Sequence, residues 1–99
     1  SAVMEVPHVV DCAVAGLPDD LLYEKVVAFV VHDQQAQSLR KLDMDIKLYV
    51  SKKVASLASP KEIVFTDRIP KTKSGKVMRR VLKMQYLGQD VGDLSTMEE

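Results

Sequence analysis

Val26-Val27-Ala28-Phe29-Val30-Val31 is an unbroken run of six apolar residues, with Glu24 and Lys25 before it and His32 and Asp33 after it. An amphipathic helix would break such a run with a polar residue every three or four positions. A run without that break predicts a strand buried on both faces, and β-branched valine fits a strand well. A strand covered on both sides needs neighbouring strands and layers above and below, so this stretch sets the class of fold.

Upstream, residues 9–15 read as a second strand, ended by Gly16 and by the turn residues Pro18, Asp19 and Asp20. Residues 2–6 read as the tail of a helix stopped near Pro7. The apolar opening Ser1-Ala2-Val3-Met4 looks like a chain cut from something longer. Downstream, Asp33 to Gln37 is a polar loop, and Ser38 is placed to cap a helix. Leu39, Leu42, Ile46, Tyr49, Val50, Val54 and Leu57 then recur at three- and four-residue spacing, which predicts a helix over 39–57. Ser59 and Pro60 stop it, and residues 62–66, Glu-Ile-Val-Phe-Thr, predict a third strand. Val77, Met78, Val81, Leu82 and Tyr86 predict a short last helix. The order β, β, α, β, α predicts an α+β domain: a small sheet of about three strands covered by helices. Residues 1–87 form the expected domain, and 88–99 a polar, loosely held tail.

Composition narrows the function. With 99 residues, 46% apolar and 28% charged, the chain suits one folded domain. Aromatic residues make up only 5% and there is no tryptophan, so a stacking platform for nucleic acid is poorly supplied. No run of 18 or so apolar residues exists, and no membrane partner is expected. Cys12 is the only cysteine and reads as a buried filler, which suits a reducing, cytoplasmic setting.

The chain is neutral, with 14 basic and 14 acidic residues. Residues 71–83 nevertheless hold Lys71, Lys73, Lys76, Arg79, Arg80 and Lys83 without an acid among them. A local basic strip in a neutral chain points to one anionic site, or to a solvated helix face. Within the strip lies Pro70-Lys71-Thr72-Lys73-Ser74-Gly75-Lys76. Gly75 gives the backbone turn conformations closed to other residues, and Ser74 supplies a hydroxyl. Lys76 brings three donors and a point charge on a flexible stem, suited to a phosphate or carboxylate oxygen. A phosphate-binding P-loop is excluded, because that pattern needs glycine where Pro70 stands. On these residues alone, an ordinary loop lysine remains the favoured reading.

The stretch 70–80, PKTKSGKVMRR, closely resembles Pro-Lys-Thr-x-Ser-Gly-Lys-[Ile/Val]-x-Arg-Arg. That signature lies near the C-terminus of the adenylate-forming superfamily, which includes acyl-CoA synthetases, coumarate-CoA ligases and luciferases. Residues 9–19, 26–31 and 58–72 look like the family's strands and its approach to the lysine loop. Residues 91–98 are similar to the tail of acetyl-CoA synthetases, which tilts the expected substrate toward a short-chain acid such as acetate.

The resemblance implies a lid closing over a much larger N-terminal domain of the same polypeptide, where ATP, its Mg ion and a carboxylic acid bind. Lys76 is then the catalytic residue of adenylation, and Ser74, Gly75 and Lys76 bind ATP or the acyl-adenylate. Ser59, Pro60 and Lys61 match a segment that lies against CoA in medium-chain relatives. Lys76 is also the expected target of a lysine acetyltransferase and deacetylase, as in acetyl-CoA synthetases.

The match has gaps. Leu22 and Tyr23 stand where relatives often carry Arg-Gly, and Ser51 where acetyl-CoA synthetases carry arginine. Lys52, Lys53 or Lys61 would have to substitute toward CoA. No metal site is expected, because Val6 and His8 flank Pro7 where metal-bearing relatives have His-Pro, and His8 and His32 read as surface residues. Residues 71–76 lack apolar anchors and are expected to be exposed and mobile in the isolated domain. A nucleic-acid module using the basic strip, and an adaptor that kept the fold but lost the chemistry, are the competing readings.

Overall fold

Alternate residues of the apolar run feed two separate cores, one on each face of a sheet. The computed structural model describes residues 2–19, 23–54 and 59–88. Within them the order is a 3-10 turn (Val3–Glu5), β1 (Val9–Asp19), β2 (Tyr23–His32), α1 (Leu39–Lys53), β3 (Glu62–Phe65) and α2 (Arg79–Tyr86). The sheet order is β1-β2-β3. β1 and β2 pair antiparallel, from Val9 opposite His32 to Asp19 opposite Tyr23. β3 runs parallel to β2, with Val27 opposite Glu62 and Val30 opposite Phe65. The expected α+β class is what the structure has.

Ala28 and Val30 pack with Val3, Val6, Leu42, Ile46, Val50 and Ile63 under α1. Val27 and Phe29 pack with Ala13, Ala15, Leu17, Ile69 and Leu82 under α2. Period-two alternation in a strand sends neighbours to opposite faces, and here both faces are apolar. The four residues Val27 to Val30 are all buried, which is why no polar residue interrupts them.

Several boundaries differ from expectation. β1 continues past Ala15 through Gly16 and Pro18, and β2 begins at Tyr23 rather than Val26. Leu17 is fully buried and anchors the extension on the α2 side. Pro18 is tolerated because β1 is an edge strand. Ser38 caps α1 as expected, its hydroxyl accepting from the Lys41 N–H at 3.2 Å. The buried stripe is Leu42, Ile46 and Val50, while Leu39 and Val54 are exposed. Val54 is extended and ends α1 after Lys53; Leu57 lies outside the described residues. α2 starts at Arg79, because Val77 pairs with Lys71 in an isolated bridge. Residues 3–5 form a 3-10 turn within the stretch 2–6 that reads as the tail of a helix. Among the described residues no helix is long and apolar enough to cross a membrane.

α2 crosses the sheet rather than following one strand. At its start Arg79 Nε donates to the Val14 carbonyl of β1, 3.0 Å. At its end Tyr86 Oη donates to Glu62 Oε1 of β3, 2.7 Å. A rise of about 1.5 Å per residue carries the helix roughly 10 Å between those residues. Two strand spacings of about 4.8 Å cover the same span. The helix is therefore a strut linking both edges.

Candidate functional site

The segment from Pro70 to Met78 folds as a hydrogen-bonded hairpin standing on the edge of β1. Its stem is closed by the Met78 N–H on the Pro70 carbonyl (2.9 Å) and by the Lys71–Val77 bridge. Above the stem, the Thr72 N–H donates to the Lys76 carbonyl (2.8 Å) and the Gly75 N–H to the Thr72 carbonyl (2.9 Å). Gly75 has φ +88°, with open space where a side chain would stand. Its requirement for glycine is therefore one of backbone conformation, not of room.

Thr72 organises the turn. Its Oγ1 accepts from the Lys76 N–H at 3.2 Å and lies 3.0 Å from Ser74 Oγ. Thr72 has no assigned role in the signature read from the sequence, although short hydroxyl side chains that bond the backbone two to four residues on are a known turn device. Lys71, Lys73, Ser74, Gly75 and Lys76 are all exposed, as expected. No residue of 71–76 is itself buried, and the support comes from the residues that flank them. Ile69 and Met78, buried at 6% and 5% exposure, hold the two arms into the domain.

Two further contacts tie the hairpin to β1. Lys71 Nζ donates to Asp11 Oδ2 at 2.7 Å, and Arg79 supplies the bond to Val14. The basic strip is thus not one open cationic face, because Lys71 and Arg79 are engaged on the sheet edge. Neither Asp11 nor Val14 was marked in the sequence, since each lies 60 or more residues from its partner.

Ser59, Pro60 and Lys61 lie elsewhere. They lead into β3, the opposite edge, where the Lys61 N–H donates to the Val26 carbonyl at 2.8 Å. Ser59 and Pro60 are buried and Lys61 is exposed. The structure does not bring this segment together with the lysine hairpin; the central strand separates them. Lys52 and Lys53 are exposed at the end of α1, and Ser51 Oγ donates to the Leu48 carbonyl at 2.8 Å. Leu22 lies outside the described residues.

Beside the β3 edge sits a polar knot. Lys25 Nζ donates to Glu62 Oε1 at 2.9 Å and lies 5.5 Å from the centre of the Tyr86 ring, which packs edge-on to Phe29. The hydrogen bond from Lys25, then that from Tyr86, holds the Glu62 carboxyl below its usual range. The bonds to Glu62 and Tyr86 raise the Lys25 ammonium above its own.

His8 is exposed, with Nδ1 3.1 Å from the Asp33 carboxylate, and His32 Nδ1 lies 2.6 Å from the Asp33 carbonyl. Cys12 is half-buried rather than fully buried. Among the described residues no three His, Cys, Asp or Glu side chains converge as a metal site would require.

A small three-stranded mixed sheet with two helices matches the C-terminal domains of adenylate-forming enzymes found among solved structures. The model of the AMP-binding enzyme C-terminal domain matches residues 1–76, and the chain belongs to that family. It is 42% identical over its whole length to an acetyl-coenzyme A synthetase of Bacillus subtilis, covering 17% of that protein. It is 44% identical, again over its whole length, to a 3-hydroxypropionyl-coenzyme A synthetase of Metallosphaera sedula, covering 15% of it. Among solved structures, ATP-bound MatB from Rhodopseudomonas palustris superposes with a TM-score of 0.76 at 29% identity, over 86% of this chain and 16% of that one. The chain thus spans about a sixth of the length of the relatives it matches.

Proposed function

We propose that this domain is the lid of an AMP-forming acyl-CoA synthetase, and that Lys76 acts in the adenylation half-reaction. The observation that carries the reading is the exposed Ser74-Gly75-Lys76 turn on an anchored stem. A turn held by four hydrogen bonds offers a cation from a defined position to a ligand outside the domain. As a carboxylate attacks the α-phosphate of ATP and pyrophosphate leaves, negative charge shifts among the reacting oxygens. A pre-positioned ammonium stabilises that charge without reorganising. Ser74 and Gly75 shape the approach to the nucleotide.

The remaining five-sixths of such an enzyme would carry ATP, its Mg ion and the acid. Residues 1–87 form the lid on this reading, and 88–99 its tail. Rotation of the lid would then present another surface for the attack of CoA on the adenylate. Lys61, with Ser59 and Pro60 beneath it on the β3 edge, is the segment assigned to CoA. The location of that segment across the sheet from Lys76 supports separate surfaces for the two half-reactions. Both relatives named above make CoA thioesters of small acids, which supports a short-chain acid such as acetate. The exposure of Lys76 supports it as an acetylation site, where loss of its charge would stop adenylation.

The test uses the full-length enzyme. Lys76→Ala is expected to slow pyrophosphate exchange by about 10² to 10³. Single-turnover thioester formation from supplied acyl-adenylate should be nearly unchanged. Equal losses in the two assays would remove Lys76 from the first half-reaction.

A further inference from the structure

We infer that Asp11 is a positioning residue for Lys76, acting through Lys71 at the base of the hairpin; the inference rests on the role proposed for Lys76. The register between β1 and β2 shifts between Val9, opposite His32, and Asp11, opposite Val31, so Val10 is an extra residue in the strand. A bulge of this kind increases local twist and re-aims the next side chain. Asp11 is that side chain. Its Oδ1 accepts from the Cys12 N–H at 2.9 Å, which orients the carboxylate and leaves Oδ2 for Lys71 Nζ at 2.7 Å.

The position of Lys71 gives the pair its leverage. Lys71 opens the hairpin arm that pairs with Val77, and Lys76 precedes Val77 on the other arm. Arg79, two residues beyond Val77, grips the Val14 carbonyl. Each arm is therefore tied to β1, one at Asp11 and one at Val14. Ile69 and Met78 fix the root of the stem in the core, but buried root residues leave the lean of an exposed hairpin undetermined. The two ties set that lean, and with it the place of the Lys76 ammonium.

A half-exposed ion pair adds little to fold stability. Small displacements of a catalytic group, by contrast, are expensive in rate. Asp11 therefore matters to the reaction far more than to the fold.

Asp11→Asn tests this in the full-length enzyme, since the amide oxygen still accepts from Cys12 while the attraction for Lys71 is gone. Pyrophosphate exchange at saturating ATP and acid is expected to fall about tenfold. Thioester formation from supplied adenylate should be unchanged, and Asp11→Glu should recover most of the loss. In a Lys76→Ala background, Asp11→Asn is expected to cause no further loss, because there is no ammonium left to misplace. A full additional loss in that background, equal losses in both half-reactions, or wild-type exchange in Asp11→Asn would each overturn the inference. If Lys76→Ala itself leaves exchange intact, the reading of Lys76 fails first. If Lys76→Ala is severe while Asp11→Asn is silent, only the role of Asp11 fails.

Discussion

The two edges of the sheet are built differently. The β1 edge is long and carries its hairpin through polar ties: Asp11 to Lys71, Val14 to Arg79, and the turn bonds of Thr72. The β3 edge is four residues long and is closed by Ser59 and Pro60, both buried, and by the knot of Lys25, Glu62 and Tyr86. One edge holds out a defined, exposed turn; the other is packed down, with Lys61 left at its surface. The contrast teaches that a domain of this size can offer two chemically different surfaces because a rigid sheet keeps them apart. α2 spans both edges, so disturbing it should affect both, whereas local changes should stay local.

Leu82→Ala tests the strut and is expected to have the largest effect. Leu82 is fully buried in the α2-side core. Its truncation should cost about 2–5 kcal/mol of stability, read as a lower urea midpoint for the chain. In the full-length enzyme both half-reactions should weaken together. A loss confined to one of them would mean that α2 does not couple the edges.

Gly75→Ala probes the β1 edge alone. No atom obstructs the added methyl group, but φ +88° is strained for alanine, at a cost of about 1 kcal/mol. The turn should shift, with pyrophosphate exchange falling several-fold and thioester formation from supplied adenylate unaffected. Unchanged exchange would show that the left-handed turn is not needed to place Lys76.

Acid titration probes the β3 edge and should give the smallest effect. The folded Glu62 carboxyl lies below its ordinary value of 4.5, chiefly through Lys25. Its contribution to stability is therefore fully present above that value. It is lost as pH falls through the lower, folded value. Glu62→Gln should lower the urea midpoint at pH 7, and the gap to wild type should close as pH falls below 4.5. A gap that stays constant through acid would show that the ionised carboxylate is not what Lys25 and Tyr86 hold.

How much was legible in advance differs between the two edges in the same way. PKTKSGKVMRR marked the lysine turn because its residues are consecutive, and the run Ser59 to Lys61 was marked for the same reason. What anchors the turn was not legible. The span from Asp11 to Lys71 is 60 residues and that from Val14 to Arg79 is 65. The loop was expected to lack anchors because its own residues are polar; its anchors, Ile69 and Met78, flank it.

By itself the sequence determined the elements whose signals are local. The six-residue apolar run fits a strand covered on both faces better than an amphipathic helix. The periodic stripe from Leu39 to Leu57 behind Ser38 reads as a helix packed on the sheet. Tertiary structure alone decided how far each element runs and what it leans on. β1 passes Gly16 because Leu17 finds a core to enter, and Val77 is withheld from α2 because Lys71 pairs with it. Hydrophobic periodicity is a property of neighbours along the chain. Burial, pairing and the docking of the lysine hairpin are properties of neighbours in space, and these exist only once the sheet has formed.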